Sequence, residues 1–179
     1  MKISNIIITV IFSVFCLSGY SQNEHYPVPP KTDKLLFYIQ RNHNANTIIY
    51  DANFNLNGKL DSDEPIEVYW RRYDEQGQKM ELRTIEKWYA YGVECHKEEE
   101  HPDTYRVSLV AEKKKKFWLK QIADFEAVLL TKINNKLSRL EHLYIFADES
   151  GIWPKVKYIE LFGSDIETGK KTYQKIIVN

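Results

Sequence analysis

Short β-branched and aromatic runs, in places alternating apolar and polar residue by residue, recur along most of this chain, and they predict strands. The cleanest stretch is 105–111, where Tyr105, Val107, Leu109 and Ala111 fall on one face and Arg106 and Ser108 on the other. Short β-branched and aromatic runs at 35–39, 47–50 and 66–70 read the same way, as do 117–122, 125–133, 137–146, 156–162 and 173–178. Between them stand turn-forming residues: the Asn-rich 41–46, Pro65, the pair Asn134 and Asn135, and Thr168 with Gly169 and Lys170. One segment breaks the period. Leu82, Ile85, Trp88 and Tyr89 recur at three and four residues, with Gly92 just beyond, which predicts a short amphipathic helix near 82–90. Leu137, Leu140 and Tyr144 also fit helical spacing, so 137–146 reads as strand or helix. The expected fold is all-β, an antiparallel β-sandwich or barrel of nine to ten strands with that one helix.

The amino terminus is patterned differently. Lys2 precedes an almost unbroken apolar run at 6–17, and the small and polar residues Ser18, Gly19, Tyr20 and Ser21 follow. This three-part order is that of a secretory signal peptide cleaved after Ser21. The apolar run is shorter than the roughly 20 residues of a membrane span, so no transmembrane segment is expected in the mature form. Phe15, rather than a small residue, precedes Cys16, which argues against lipidation there. Residues 22–33, with Pro27, Pro29 and Pro30, read as an extended leader, and 34–179 as a single β-domain.

Composition then narrows the partners. The chain carries 25 basic and 25 acidic residues, so no basic field exists to hold nucleic acid. Cleavage would remove one of its two cysteines, leaving Cys95 without an intramolecular partner. Between Glu94 and His96, it reads as an apolar strand residue or a reactive thiol.

Four clusters carry candidate chemistry. Asn53, Asn55, Asn57, Gly58, Asp61 and Glu64 match the calcium-loop template of an EF-hand, with Leu60 at its apolar eighth place. The opposing reading is a hairpin loop built on Asn57 and Gly58, because the flanks are strands and Pro65 follows Glu64 at once. Residues 113–116 are four lysines, read as a solvated turn between strands or a contact for anionic lipid or polysaccharide. His96 and His101 bracket three glutamates, metal-like in content but loop-like beside Pro102. Finally, Arg41, Arg71, Arg72, Lys155 and Lys157 lie in or beside aromatic-rich strands. On 66–73, Tyr69, Arg71 and Tyr73 share one face, and Trp70 and Arg72 the other. Arginine beside tyrosine suits a carboxylate, phosphate or sugar, and equally suits a surface ion pair. The expected ligand-binding set is Arg41, Tyr69, Arg71 and Lys157.

No Gly-x-Ser-x-Gly elbow, His-Glu-x-x-His helix, phosphate loop or Cys-x-x-Cys pair occurs. Several separated phrases do carry a likeness: 37–42, 44–53, 65–70, 89–93 and 156–163. Together they resemble domain of unknown function 4833, a family of exported bacterial proteins. The resemblance implies a single domain and supplies no activity, cofactor or catalytic residue. The Ser-Gln end of the signal resembles those of Bacteroidetes-type bacteria, which implies the periplasm or outer surface. The expectation is therefore an exported module binding a small ligand or an envelope component. The alternatives are a hydrolase acting on envelope polysaccharide or lipid, and a structural assembly partner.

Overall fold

The computed structural model describes residues 26–42, 44–101, 103–151 and 154–178. The expected signal peptide, 1–21, and the first residues of the leader lie outside them, as do His43, Pro102, Ile152, Trp153 and Asn179. Eleven strands form one curled, open sheet resembling a half-barrel. They are β1 (Leu35–Arg41), β2 (Asn44–Ala52), β3 (Ile66–Arg72), β4 (Gln78–Glu81), β5 (Val93–Lys97), β6 (Thr104–Leu109), β7 (Glu112–Ala123), β8 (Glu126–Ile133), β9 (Lys136–Asp148), β10 (Lys155–Asp165) and β11 (Lys171–Ile177). The one short helix, α1 (Thr84–Glu86), runs into a π-type turn, Lys87–Tyr91.

Strand β9 organises the sheet. Its first residues pair antiparallel with β8, from Ile133↔Lys136 to Leu130↔Arg139. Further along it pairs with β1, from Tyr38↔His142 to Arg41↔Ile145, and this pairing is parallel. Two arms, β1-β2-β3-β4 and β8-β7-β6-β5, therefore grow from β9, while β10 and β11 extend the opposite side. The parallel pair departs from the purely antiparallel expectation. It arises because the chain returns to β1 after building the whole second arm, a non-local pairing invisible to local periodicity.

The inward faces of both arms meet in one core. Phe37, Ile39, Ile48, Tyr50, Ile66 and Trp70 come from the first arm. Val107, Leu109, Phe117, Leu119 and Leu129 come from the second, and Leu140, Leu143 and Leu161 close the join. Phe37 stacks on Tyr50 with ring centroids 4.1 Å apart. Burying each such side chain contributes about 1.5–3 kcal/mol.

Three local expectations meet different outcomes. The ambiguous 137–146 is strand throughout, because β9 is paired along both edges. The lysines 113–116 lie inside β7, and the turn falls at Val110 and Ala111 instead. There Lys115 reaches the Lys132 carbonyl at 2.6 Å and Lys113 the Glu94 carboxylate at 2.9 Å, so two of the four are held and not merely solvated. The helical segment is turned outward: Leu82 is buried, but Ile85, Trp88 and Tyr89 are 62%, 69% and 75% exposed. Periodicity identified the apolar stripe correctly but not what covers it.

The described part of the leader has no regular structure, yet it is docked and not free. Pro29 is buried, Gln40 Nε2 donates to the Pro27 carbonyl at 2.9 Å, and the Tyr26 ring lies 6.2 Å from that of Tyr144. Among the described residues no helix is long and apolar enough to cross a membrane.

Candidate functional site

A cleft of about 410 Å³ opens at the end of the first arm, on the core side of the sheet. Arg41, Asn44, Asn46, Trp70, Arg72 and Arg83 line it, with Met80, Glu81 and Glu86. Its position follows from β1. A register shift between Ile39 and Arg41 ends the regular ladder with β2. The buried Asn42 side chain then takes over the pairing with β9, donating to the Ala147 carbonyl at 2.7 Å and accepting from the Ala147 N–H at 2.8 Å. That double bond to a neighbouring strand fixes the backbone next to Arg41. Asn42→Ala would leave both Ala147 groups without partners. It is expected to lower unfolding free energy by about 2 kcal/mol, read from a urea midpoint.

The Arg41 guanidinium packs against two rings, 5.6 Å from the centroid of Trp70 and 5.6 Å from that of Tyr91. The rings meet edge to face at 5.4 Å and 77°. Both are held from behind. Tyr50 donates its hydroxyl to the Tyr91 carbonyl at 2.8 Å, and the indole N–H of Trp70 reaches Glu86 Oε2 at 3.4 Å. Glu86 also accepts from the Arg83 backbone N–H and guanidinium, both at 2.9 Å, in the capping box that opens α1. Burial opposes ionisation of Glu86, but the bonds from Arg83 and Trp70 outweigh it and hold the carboxyl below its usual value. Burial likewise pushes the Tyr91 hydroxyl up against the opposing pull of Arg41.

The other two arginines are already neutralised. Arg83 pairs with Glu86, and Arg72 with Asp74 at 3.5 Å and Glu75 at 2.8 Å. Asn46 is committed to Asp74 at 3.1 Å. Arg41 differs: no carboxylate among the described residues lies within ion-pair distance, and its buried Nε has no hydrogen-bond partner. The guanidinium also hydrogen-bonds the Tyr91 hydroxyl, so the Nε–H alone is left over, and a buried N–H without an acceptor is a feature native structures seldom leave unsatisfied.

The family of proteins described as a domain of unknown function, DUF4833, matches residues 37–175, from within β1 to within β11. The chain belongs to this family. No curated protein and no solved structure matches it.

This DUF4833 domain separates the residues that the sequence grouped. Arg41 lies in the cleft, whereas Tyr69 and Arg71 point to the opposite face of β3, because neighbouring strand residues alternate. Tyr69 there donates to Asp51 Oδ2 at 2.8 Å and carries the Lys79 ammonium over its ring at 4.1 Å. Burial, followed by the bond to Asp51, pushes its hydroxyl well above the ordinary tyrosine value. Arg71 donates to the Gly77 carbonyl at 3.0 Å. Lys157, on β10, pairs with Asp148 at 3.5 Å and lines neither this cleft nor a second groove described below. Of the expected ligand-binding set only Arg41 lines the cleft; Asn44, Asn46, Trp70 and Glu86 are among the lining residues that set left out, and Tyr91 packs on Arg41 without lining the cleft.

In this DUF4833 domain the 53–64 loop is a hairpin closed by the Phe54↔Leu60 bridge, with Gly58 at φ 75°. Asn55 Oδ1 accepts from the N–H groups of Asn57 and Lys59, and Asp61 Oδ1 from those of Asp63 and Glu64. Asn53 donates its amide to the Glu64 carbonyl. Asn55 Oδ1 and Asp61 Oδ1, two of the oxygens that a calcium ion would use, thus serve the loop's own backbone. Among the described residues no group of three or more His, Cys, Asp or Glu converges, the His96 and His101 cluster included. Cys95 is half-buried, and burial pushes its thiol up to about 12, so it is not a thiolate at neutral pH.

Proposed function

We propose that this domain is a binding module that takes a small anionic ligand in the Arg41 cleft. The reading rests on one observation: a guanidinium packed against the rings of Trp70 and Tyr91, unneutralised, beside two arginines that are neutralised. A carboxylate or phosphate oxygen is the acceptor that completes such a donor, and the planar fork binds it with two parallel bonds. The aromatic walls keep the guanidinium partly desolvated, which strengthens the pairing. Among the described residues the lining offers no serine, threonine, cysteine or histidine, a composition that suits holding a ligand more than transforming one. Taken with the amino-terminal pattern, the setting in this reading is the periplasm or outer surface of the cell.

A thermal-shift series with phosphate, citrate and glucuronate tests it. At a hundredfold excess over its dissociation constant, a bound anion stabilises by about 2.7 kcal/mol, a shift of several degrees. Arg41→Met keeps the stem and removes the charge; it is expected to abolish the shift while leaving the protein folded. An equal shift in Arg41→Met, or none in the parent protein with any carboxylate or phosphate, would overturn the reading.

A further inference from the structure

The curled sheet does not close, and the gap has the chemistry of a missing strand. Strand β5 ends the second arm and pairs only with β6. On the first arm, β4 covers β3 only from Tyr69 onward, which leaves the edge along Ile66 and Val68 without a partner strand. Between these two free edges runs a groove of about 350 Å³. Ile66 and Val68 form one wall, Val93 and Cys95 the other, each pair at two-residue spacing on the core side. Trp88, 69% exposed, stands at the groove. The rim is acidic: Asp63, Glu64 and Glu94 against Lys87 alone, and only Glu94 has an ion-pair partner, Lys113.

We infer that this seam docks an extended segment of a partner protein in which apolar and basic residues alternate. Added to the free edge of β5, such a segment has its backbone groups paired by the strand. Its apolar side chains fill the groove between Val93, Cys95, Ile66 and Val68, and its basic side chains meet the acidic rim. An unprotected edge beside apolar residues is otherwise an aggregation hazard; β5 has no proline, and Lys97, over the Tyr105 ring, is its one charge on the face of Val93 and Cys95. The occupant completes the half-barrel, so its binding couples to the order of the 84–92 segment whose Trp88 lies at the seam. The seam shares no lining residue with the Arg41 cleft, although the 84–92 segment borders both, so Arg41→Met tests the cleft while leaving every seam-lining residue in place.

The probe is an alternating Lys-Val peptide of about eight residues, a common strand length. Titration followed by calorimetry, with hydrogen exchange read at the amides 93–97, is expected to show saturable binding and slowed exchange along β5. The double variant Asp63→Lys and Glu64→Lys, on exposed loop positions, should weaken it at least about tenfold while keeping the parent's denaturation midpoint. Raised salt should weaken it in the same direction. The inference is overturned by absence of saturable binding, by equal binding of an alternating Glu-Val peptide, or by protection at β4 or β11 in place of β5. Concentration-dependent self-association that protects β5 without peptide would also overturn it, since the occupant would then be a second copy of this chain.

Discussion

Gly163→Ala is expected to lower the stability of this domain by about 3 kcal/mol or more, enough to remove much of a typical margin of about 5–15 kcal/mol. The reason is proximity. A Cβ at this position would lie 2.3 Å from the Arg139 carbonyl oxygen and 2.9 Å from Ile133 Cδ1. A backbone oxygen cannot swing away as a side chain can, so the strand itself must move. The strand in question is β9 where it leaves β8 and approaches β1, opposite a register shift between Phe162 and Gly163 in β10. Displacement there disturbs the join from which both arms grow. Gly169→Ala supplies the contrast. That glycine has φ +67° but nothing within 4 Å, so its replacement carries backbone strain alone, about 1 kcal/mol. Urea denaturation of the two variants separates the effects. Equal losses would mean that the close approach at Gly163 relaxes freely and that β9 is less rigid than its double pairing implies.

The same strand shows what the sequence could and could not reveal. Period-two alternation identified β6, which buries one face and exposes the other, whereas β8 and β10, with consecutive buried residues, were legible from their β-branched and aromatic content. It left β9 ambiguous, since Leu137, Leu140 and Tyr144 also fit a helix, and only pairing along two edges decides between them. Strand β4 gave no signal at all: Gln78, Lys79, Met80 and Glu81 are all exposed, and an edge strand on a curled sheet needs no apolar stripe. The helical stripe at 82–89 was real, but its apolar face looks outward beside the open seam. Two free edges meeting in space are not a property of any local window.

The candidate site was legible to the same depth. Arg41 stood out as a cation among aromatics, and the alternation along β3 was read correctly as two faces. Which face would be concave was not written there. The sheet curls toward Trp70, so Trp70 and Arg72 enter the cleft while Tyr69 and Arg71 turn away. Tyr91 joins Arg41 across fifty positions of chain through the bond of its carbonyl to Tyr50, a contact that only the folded arm creates.

Acid sensitivity is the second large effect, and it is assigned to His142. Its ring stacks between Tyr38 at 4.5 Å and Phe162 at 5.1 Å, and its buried Nε2 has no hydrogen-bond partner. Burial pulls its pKa from 6.5 down to about 4, because the imidazolium would lose hydration without gaining an acceptor. The unfolded chain therefore takes up a proton near pH 6.5 that the folded protein refuses until about pH 4. Stability from this group is intact above pH 6.5, falls as pH drops through that window, and levels off below pH 4. The full loss is on the order of 3 kcal/mol. Depressed carboxylates such as Asp148 and Asp165 also lose stability toward low pH, so the parent curve alone does not isolate the histidine. His142→Phe does. It preserves a flat ring between Tyr38 and Phe162 and has no proton to accept, so subtracting its denaturation free energies from the parent's leaves the imidazole contribution. That difference is expected to be level above pH 6.5 and to shift in favour of His142→Phe between pH 6.5 and 4. A difference that stayed constant across the window would mean that the ring is protonated in place, with an acceptor or water reaching Nε2 inside the stack.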